Sequence, residues 1–281
     1  MARNKDYPIV KQLRVASPPG PSNTLLVNAD RYLSKANRRL YRHARNYNLK
    51  IDIDPSSTTV YEIFALADNW MNRNALKMAY ESYLMNSKDE RAALKEANLA
   101  RWSDFRTYQG FGSTAVNPVV YDGYTPQTLS TGEFILTKVY DKAGVERFYT
   151  WGATAADRYG IISEYAKAGQ AQPSPDTTTS DMPYDNLMAD NDALMADDLQ
   201  TDGNLPPYEV NPNLGFGSAW IKVGVLSAHT VAQKLSTGYF DAPCGFVIIR
   251  EAGGEPVDAT RLSVTFREGD YKGVHAPSML E

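Results

Sequence analysis

With 281 residues, 43% of them hydrophobic and a net charge of −4, the chain has enough apolar content to bury a sizeable core, as one large all-β domain or two smaller ones, and is not of the disordered class. Its single cysteine, Cys244, excludes an intramolecular disulfide and is read as a free buried thiol. No run approaches the roughly 18 apolar residues of a membrane span and the N-terminus lacks a signal peptide's apolar core, so a soluble chain with no membrane partner is expected.

Charge is distributed unevenly. Residues 1–50 hold 11 Lys and Arg against two acids, Asp6 and Asp30, an excess of +9; the remainder, with 18 basic and 31 acidic residues, carries −13. Such polarity points to a polyanionic contact at the basic end.

Residues 1–28 have little periodic apolar pattern, and "SPPGPSN" (17–23) breaks regular structure, so this part reads as an extended arm containing Arg3, Lys5, Lys11 and Arg14. From Asp30 to Tyr47 the basic residues Arg31, Lys35, Arg38, Arg42 and Arg45 recur at spacings of four and three. Leu33, Ala36, Leu40, Ala44 and Tyr47 recur similarly, offset by two. The spacing predicts a helix capped by Asn28 or Asp30, with an apolar stripe resting on the body and a basic stripe, to which Arg39 and His43 belong, facing outward.

"LKIDIDP" (49–55) alternates as a half-buried strand does, and "TTVYEIFALAD" (58–68) is rich in β-branched and aromatic residues. Two helices then interrupt the β pattern, at 70–86 and 87–105, the second with Ser87 and Glu90 spaced as a capping box. "VYDKAGVERFY" (139–149) reads as a hairpin turning at Asp141–Gly144, whereas 158–168 fits a strand or a helix. Residues 170–213, with no Lys or Arg between Ala171 and Val210, form an acidic surface loop. Strands are predicted at 48–54, 58–67, 117–122, 133–141, 145–151, 218–226, 244–251 and 260–267, and eight strands with long connections suit an antiparallel two-sheet sandwich such as a jelly roll.

Motifs for chemistry are sparse. No phosphate-binding G-x-x-x-x-G-K-[ST], zinc-binding H-E-x-x-H, Cys/His metal pattern or G-x-S-x-G elbow occurs, and His43, His229 and His275 lie far apart in sequence. The acidic stretch lacks the spacing of a calcium loop. No catalytic residue, metal or cofactor is expected. The basic segment remains, and its excess of +9 cannot be neutralised internally, which makes a phosphate backbone the natural external partner.

This layout of basic arm, sandwich of about eight strands, helical insertion after the second and long late loop resembles the single jelly-roll capsid proteins of small tailless icosahedral viruses with compact single-stranded genomes. "RRLYRHAR" (38–45) and "ARWSDFR" (100–106) are similar to blocks of such proteins. The resemblance implies a mainly β, eight-stranded antiparallel jelly roll over 48–281, with helical insertion 70–105 and outer loop 170–213, preceded by a basic arm and helix over 1–47. It implies a virion protein assembled in the host cell, whose partners are many copies of itself and a single-stranded genome held mostly through phosphates. The nucleic-acid-facing residues are then Arg31, Lys35, Arg38, Arg39, Arg42, Arg45, Arg3, Lys5, Lys11 and Arg14. Because the charges are spaced along a helix, where many such coats carry a dense Arg-rich tail, the helix faces either the genome or an acidic surface of a neighbouring subunit. Two other classes fit the sequence: a non-assembling nucleic-acid-binding protein, and a β-sandwich enzyme or carbohydrate-binding module.

Overall fold

A computed structural model describes residues 8–14, 23–54, 59–88, 92, 102–110, 119–121, 126–128, 136–167, 219–227, 233–257 and 262–281. Alternation in "NYNLKIDI" sets the pattern of its core. As strand β3 (Asn46–Ile53) it turns Tyr47, Leu49, Ile51 and Ile53 inward and Asn46, Asn48, Lys50 and Asp52 to the opposite face. β13 (Leu262–Phe266) does likewise with Leu262, Val264 and Phe266. With β1 (Gln12–Arg14) and β11 (Phe240–Pro243) these strands make an antiparallel sheet ordered β1-β13-β3-β11.

The second antiparallel sheet, ordered β10-β4-β12-β2, comprises β10 (Trp220–Ser227), β4 (Val60–Leu66), β12 (Phe246–Glu251) and β2 (Thr24–Asn28). Leu25 and Val27, Tyr61 and Ile63, Val247 and Ile249 join the residues of the first sheet in one apolar core, so the two sheets enclose it between them. The chain changes sheet between β11 and β12 on Cys244 and Gly245, both at positive φ (56° and 69°), where a side chain on Gly245 would press against Ala29. Cys244 is free and buried, as expected.

The second sheet is covered on its outer face as well. Leu66 and Phe246 pack with Met71, Leu76 and Tyr83 of α2 (Trp70–Asn86) and with Trp151, Ile161 and Tyr165 of the segment between β4 and β10. β12 is therefore buried along nearly its whole length, which is why "FVIIRE" shows no alternation. Within this insertion lie β5 (Val119–Tyr121) paired with β6 (Pro126–Thr128), and a three-stranded sheet of β7 (Lys138–Tyr140), β8 (Glu146–Thr150) and β9 (Arg158–Gly160), followed by α3 (Ile161–Lys167). The hairpin at Asp141–Gly144 is present, with Gly144 N–H donating to Asp141 O at 2.9 Å, and 158–168 divides into a strand and a helix.

The protein is thus mainly β with two antiparallel sheets, as expected, but its strands number thirteen among the described residues and three of the expected eight (117–122, 133–141, 145–151) fall in the insertion. Their places in the two large sheets go to β1, β2 and β11. β1 and β2 come from the segment read as an arm: β1 pairs with β13 of the same chain, and Asn37 exchanges two hydrogen bonds with the Val10 backbone (2.7 and 3.1 Å). The helix expected to reach Tyr47 is only α1 (Ala29–Asn37), and Asp30 lies inside its first turn. Of the helix expected over 87–105 few residues are described, and Ser87 Oγ donates back to Tyr83 O at 2.7 Å in α2. The acidic loop 170–213 lies outside the described residues, among which no helix is long and apolar enough to cross a membrane.

Candidate nucleic-acid interface

Ser34 ends α1. Its hydroxyl donates to Asp30 O (2.6 Å) and accepts from Tyr41 N–H (2.8 Å), while its carbonyl accepts from Arg39 N–H (3.2 Å) and from the N–H of Arg38, which adopts the left-handed conformation (φ 49°). The chain turns off the helix axis and buries Tyr41 completely. Tyrosine hydroxyls then hold the stretch to β3: Tyr47 OH donates to Arg42 O (2.5 Å), Tyr41 OH to Lys272 O (3.0 Å), and Tyr271 OH accepts from Arg42 N–H (2.9 Å). With the backbone tied inward, Arg38, Arg39 and Arg42 are left exposed.

The C-terminal segment adds to this cluster. Arg45 stacks its guanidinium 3.6 Å from the centre of the Tyr271 ring and donates to Ala276 O at 2.7 Å. Lys272 lies 5.3 Å from the same ring and bonds to Leu40 O. Partial burial lowers the Lys272 pKa, and the charges of Arg39, Arg42 and Arg45 lower it further against the opposing pull of Asp104. Four cations, Arg39, Arg42, Arg45 and Lys272, thus gather about a pair of tyrosines packed edge to face, Tyr41 and Tyr271 (6.0 Å), with Arg38 exposed next to Arg39 in the chain. Asp104, from the insertion, accepts from Arg42 at 3.1 Å. The arrangement presents positive charge with an aromatic platform, the chemistry that suits phosphates and stacked bases.

Behind it lies a second charged group, fully enclosed. Asp30 carries an ion pair with Arg106 and accepts from His43 Nδ1 at 2.9 Å, both partners being almost wholly buried. His43 Nε2 lies 2.8 Å from Thr107 Oγ1, which accepts from Trp151 Nε1 at 3.0 Å. Burial alone would raise the Asp30 pKa, but Arg106, His43 and Arg31 together hold it below the usual carboxylate range. Burial lowers the His43 pKa against the pull of Asp30, so the imidazole is neutral at pH 7. The protons are then assigned: Nδ1–H donates to Asp30, and Thr107 O–H donates to Nε2. Hydroxyl, imidazole and carboxylate in this order have the connectivity of a nucleophile relay, but Asp30, His43 and Thr107 are closed off from solvent and the Thr107 oxygen is already engaged by Trp151. What the group does is join α1, the segment before β3 and the insertion.

The expected binding residues separate accordingly. Arg39, Arg42 and Arg45 come together around Lys272, with Arg38 exposed beside Arg39 in the chain, on an irregular segment rather than a helix. Arg31 is 4% exposed and lies against Asp30, with burial pushing its pKa down to about 10, so it is not on an outward face. His43, expected on the same face, is likewise internal. Lys35 is half-buried in the last turn of α1; Lys11 pairs with Glu268; Arg14 is exposed at the end of β1; Arg3 and Lys5 lie outside the described residues. "RRLYRHAR" and "ARWSDFR" meet: Asp104 Oδ2 accepts from His43 N–H (2.8 Å) and Arg106 donates to Tyr41 O (3.2 Å). Tyr271, Lys272 and Asp104 were not foreseen. The available signal was "YKG" (271–273), a lysine and a glycine both at positive φ in a turn.

No known protein family, curated protein or solved structure matches the chain.

Proposed function

We propose that this protein is a self-assembling coat protein whose building block is an eight-stranded jelly roll and whose basic cluster meets a nucleic-acid genome in the assembled particle. The observation that carries the reading is the nesting of strand pairs. Numbering only the strands of the two large sheets along the chain, the first pairs with the eighth (β1 with β13), the second with the seventh (β2 with β12), the third with the sixth (β3 with β11) and the fourth with the fifth (β4 with β10). That order is what results when a long antiparallel ribbon is rolled up once, and it is shared by capsid and lectin domains and cupins. Among these classes the exposed cations on the α1–β3 connection favour the coat, since copies arrayed on one surface add weak phosphate contacts into strong ones.

Electron microscopy and sedimentation of the purified chain, with and without single-stranded DNA or RNA, test the proposal. Closed shells are expected, with Arg38→Glu and Arg42→Glu together reducing the nucleic acid they retain. A chain that stays monomeric across salt, pH and added nucleic acid overturns it. Salt-sensitive binding without particles would identify a nucleic-acid-binding protein that does not assemble.

A further inference from the structure

On the other side of Phe105 from Asp104 in the chain of contacts, where Phe105 packs on Tyr149 (5.4 Å), the insertion encloses a cleft of about 210 Å³ between α2 and the β8–β9–α3 unit. Ala75 and Ala79, one helical turn apart, supply the space on the α2 side. Opposite them stand three tyrosines, Tyr149, Tyr159 and Tyr165, and the carboxylate of Glu164. Tyr149 OH is engaged by Ser82 Oγ at 3.2 Å, and Glu164 accepts from Thr154 Oγ1 at 3.1 Å. Among the described residues no Lys or Arg lines the cleft. The Tyr159 ring already holds one cation: the Arg147 guanidinium is centred 5.1 Å from it, while its Nε bonds to Asp141.

Three features narrow the occupant. The volume is below the roughly 300 Å³ at which pockets for drug-sized molecules begin, so it is head-group sized. The walls are mostly apolar, which disfavours a strongly hydrated ion such as ammonium or a metal. Aromatic rings accompanied by one carboxylate attract positive charge spread over alkyl groups. We propose that this cleft binds a small organic cation of the quaternary ammonium class, its methyl groups against Tyr149, Tyr159 and Tyr165 and its charge balanced by Glu164. The inference is independent of the coat reading, because it concerns a cleft within one chain.

Calorimetric titration of the full chain with choline, and with 3,3-dimethylbutan-1-ol, in which carbon replaces the charged nitrogen at nearly unchanged shape, tests it. Choline is expected to bind saturably, about fivefold or more tighter than the alcohol. Glu164→Gln should remove most of that preference while leaving the alcohol's weak binding unchanged, and Tyr159→Leu, at a half-buried position, should weaken choline by a similar factor. Equal affinity for the two probes would reduce the cleft to an apolar cavity and overturn the proposal. So would absence of saturable choline binding, or choline binding that neither variant alters. If Tyr159→Leu proves unfolded by circular dichroism, the Glu164→Gln comparison decides alone.

Discussion

Arg31 and Arg38 are seven residues apart, both were expected on one basic stripe, and they end in opposite environments. Arg31 lies beneath the surface near Arg106, its charge favoured by Asp30, whose carboxylate pairs with Arg106; Arg38 stands in solvent with Arg39 and Arg42. Helical spacing does not decide between these outcomes. A cation is buried where a carboxylate and hydrogen-bond acceptors are fixed to receive it, and is otherwise left outside, since an unpaired charge in the interior costs several kcal/mol. Asp104 marks the border, with one oxygen on exposed Arg42 and the other on the buried His43 N–H.

The contrast is broken most severely from the inside. Asp30→Asn removes the buried carboxylate that pairs with Arg106 and lies beside Arg31, leaving Arg106 the longer contact to Asp104 (3.5 Å), and should cost about 3 kcal/mol or more in urea unfolding. Arg42→Ala removes a half-exposed ion pair and should cost under about 1 kcal/mol. Similar losses for the two variants would mean that the buried and exposed groups are not energetically distinct.

Acid should act on the same interior. The folded-state pKa of His43 is lowered from 6.5, and that of Asp30 from 3.8, so in each case the unfolded chain binds more protons just below the ordinary pKa. Stability is therefore fully present above about pH 6.5 and falls as pH drops toward the folded pKa of His43, with a second loss below about 3.8 from Asp30. Burial is the main reason, since a charged imidazole there is cut off from water; Arg106 and Arg31 add to it against the pull of Asp30, and a proton arriving on Nε2 also faces the Thr107 hydroxyl. Thermal midpoints measured across pH 7 to 5 should decline in the wild type and be flatter in His43→Gln. Parallel profiles would remove His43 as the source.

A smaller effect is expected at the rim. Tyr271→Leu keeps apolar volume but loses the stacked guanidinium of Arg45, the edge contact with Tyr41 and the acceptor for Arg42 N–H. The combined cost should be about 1–2 kcal/mol by chemical denaturation, because the stack is partly exposed and the lost hydrogen bond can be replaced by water.

How far these regions could be read beforehand follows from the same physics. β3, β4, β12 and β13 carry their burial in local composition or alternation, and they were located to within about two residues, as was α2. β1 and β11 are three and four residues long, and β2 runs straight into α1, so no periodic signal separates them from loops. "VERFYT" reads as strongly β as "LSVTF", yet it pairs inside the insertion, because sheet membership depends on partners and not on propensity. The basic segment kept helical spacing through Arg45, but the chain leaves the helix at Arg38, where Ser34 and the burial of Tyr41 compete with the next turn. Nor did spacing reveal that Arg31 would be internal: the acceptor Asp30 is its neighbour, but the guanidinium completing the group, Arg106, is 76 residues from that acid.

The last effect lies in binding rather than in folding. Arg38 and Arg39 are exposed beside the cluster, and replacing both by alanine should change unfolding free energy by no more than about 0.5 kcal/mol. If the cluster meets a phosphate backbone, the same pair has a distinct signature. Each neutralised phosphate on a single strand adds about 0.7 to the slope of log affinity against log salt, so the double variant should flatten that slope by about 1.4 without acquiring a preference among base sequences. Arg31→Lys, at the buried position, should leave the slope unchanged. A variant pair that unfolds the protein would place Arg38 and Arg39 with the internal group, and an unchanged slope would move the phosphate contact away from this connection, toward Lys11, Arg14 and the residues that precede them.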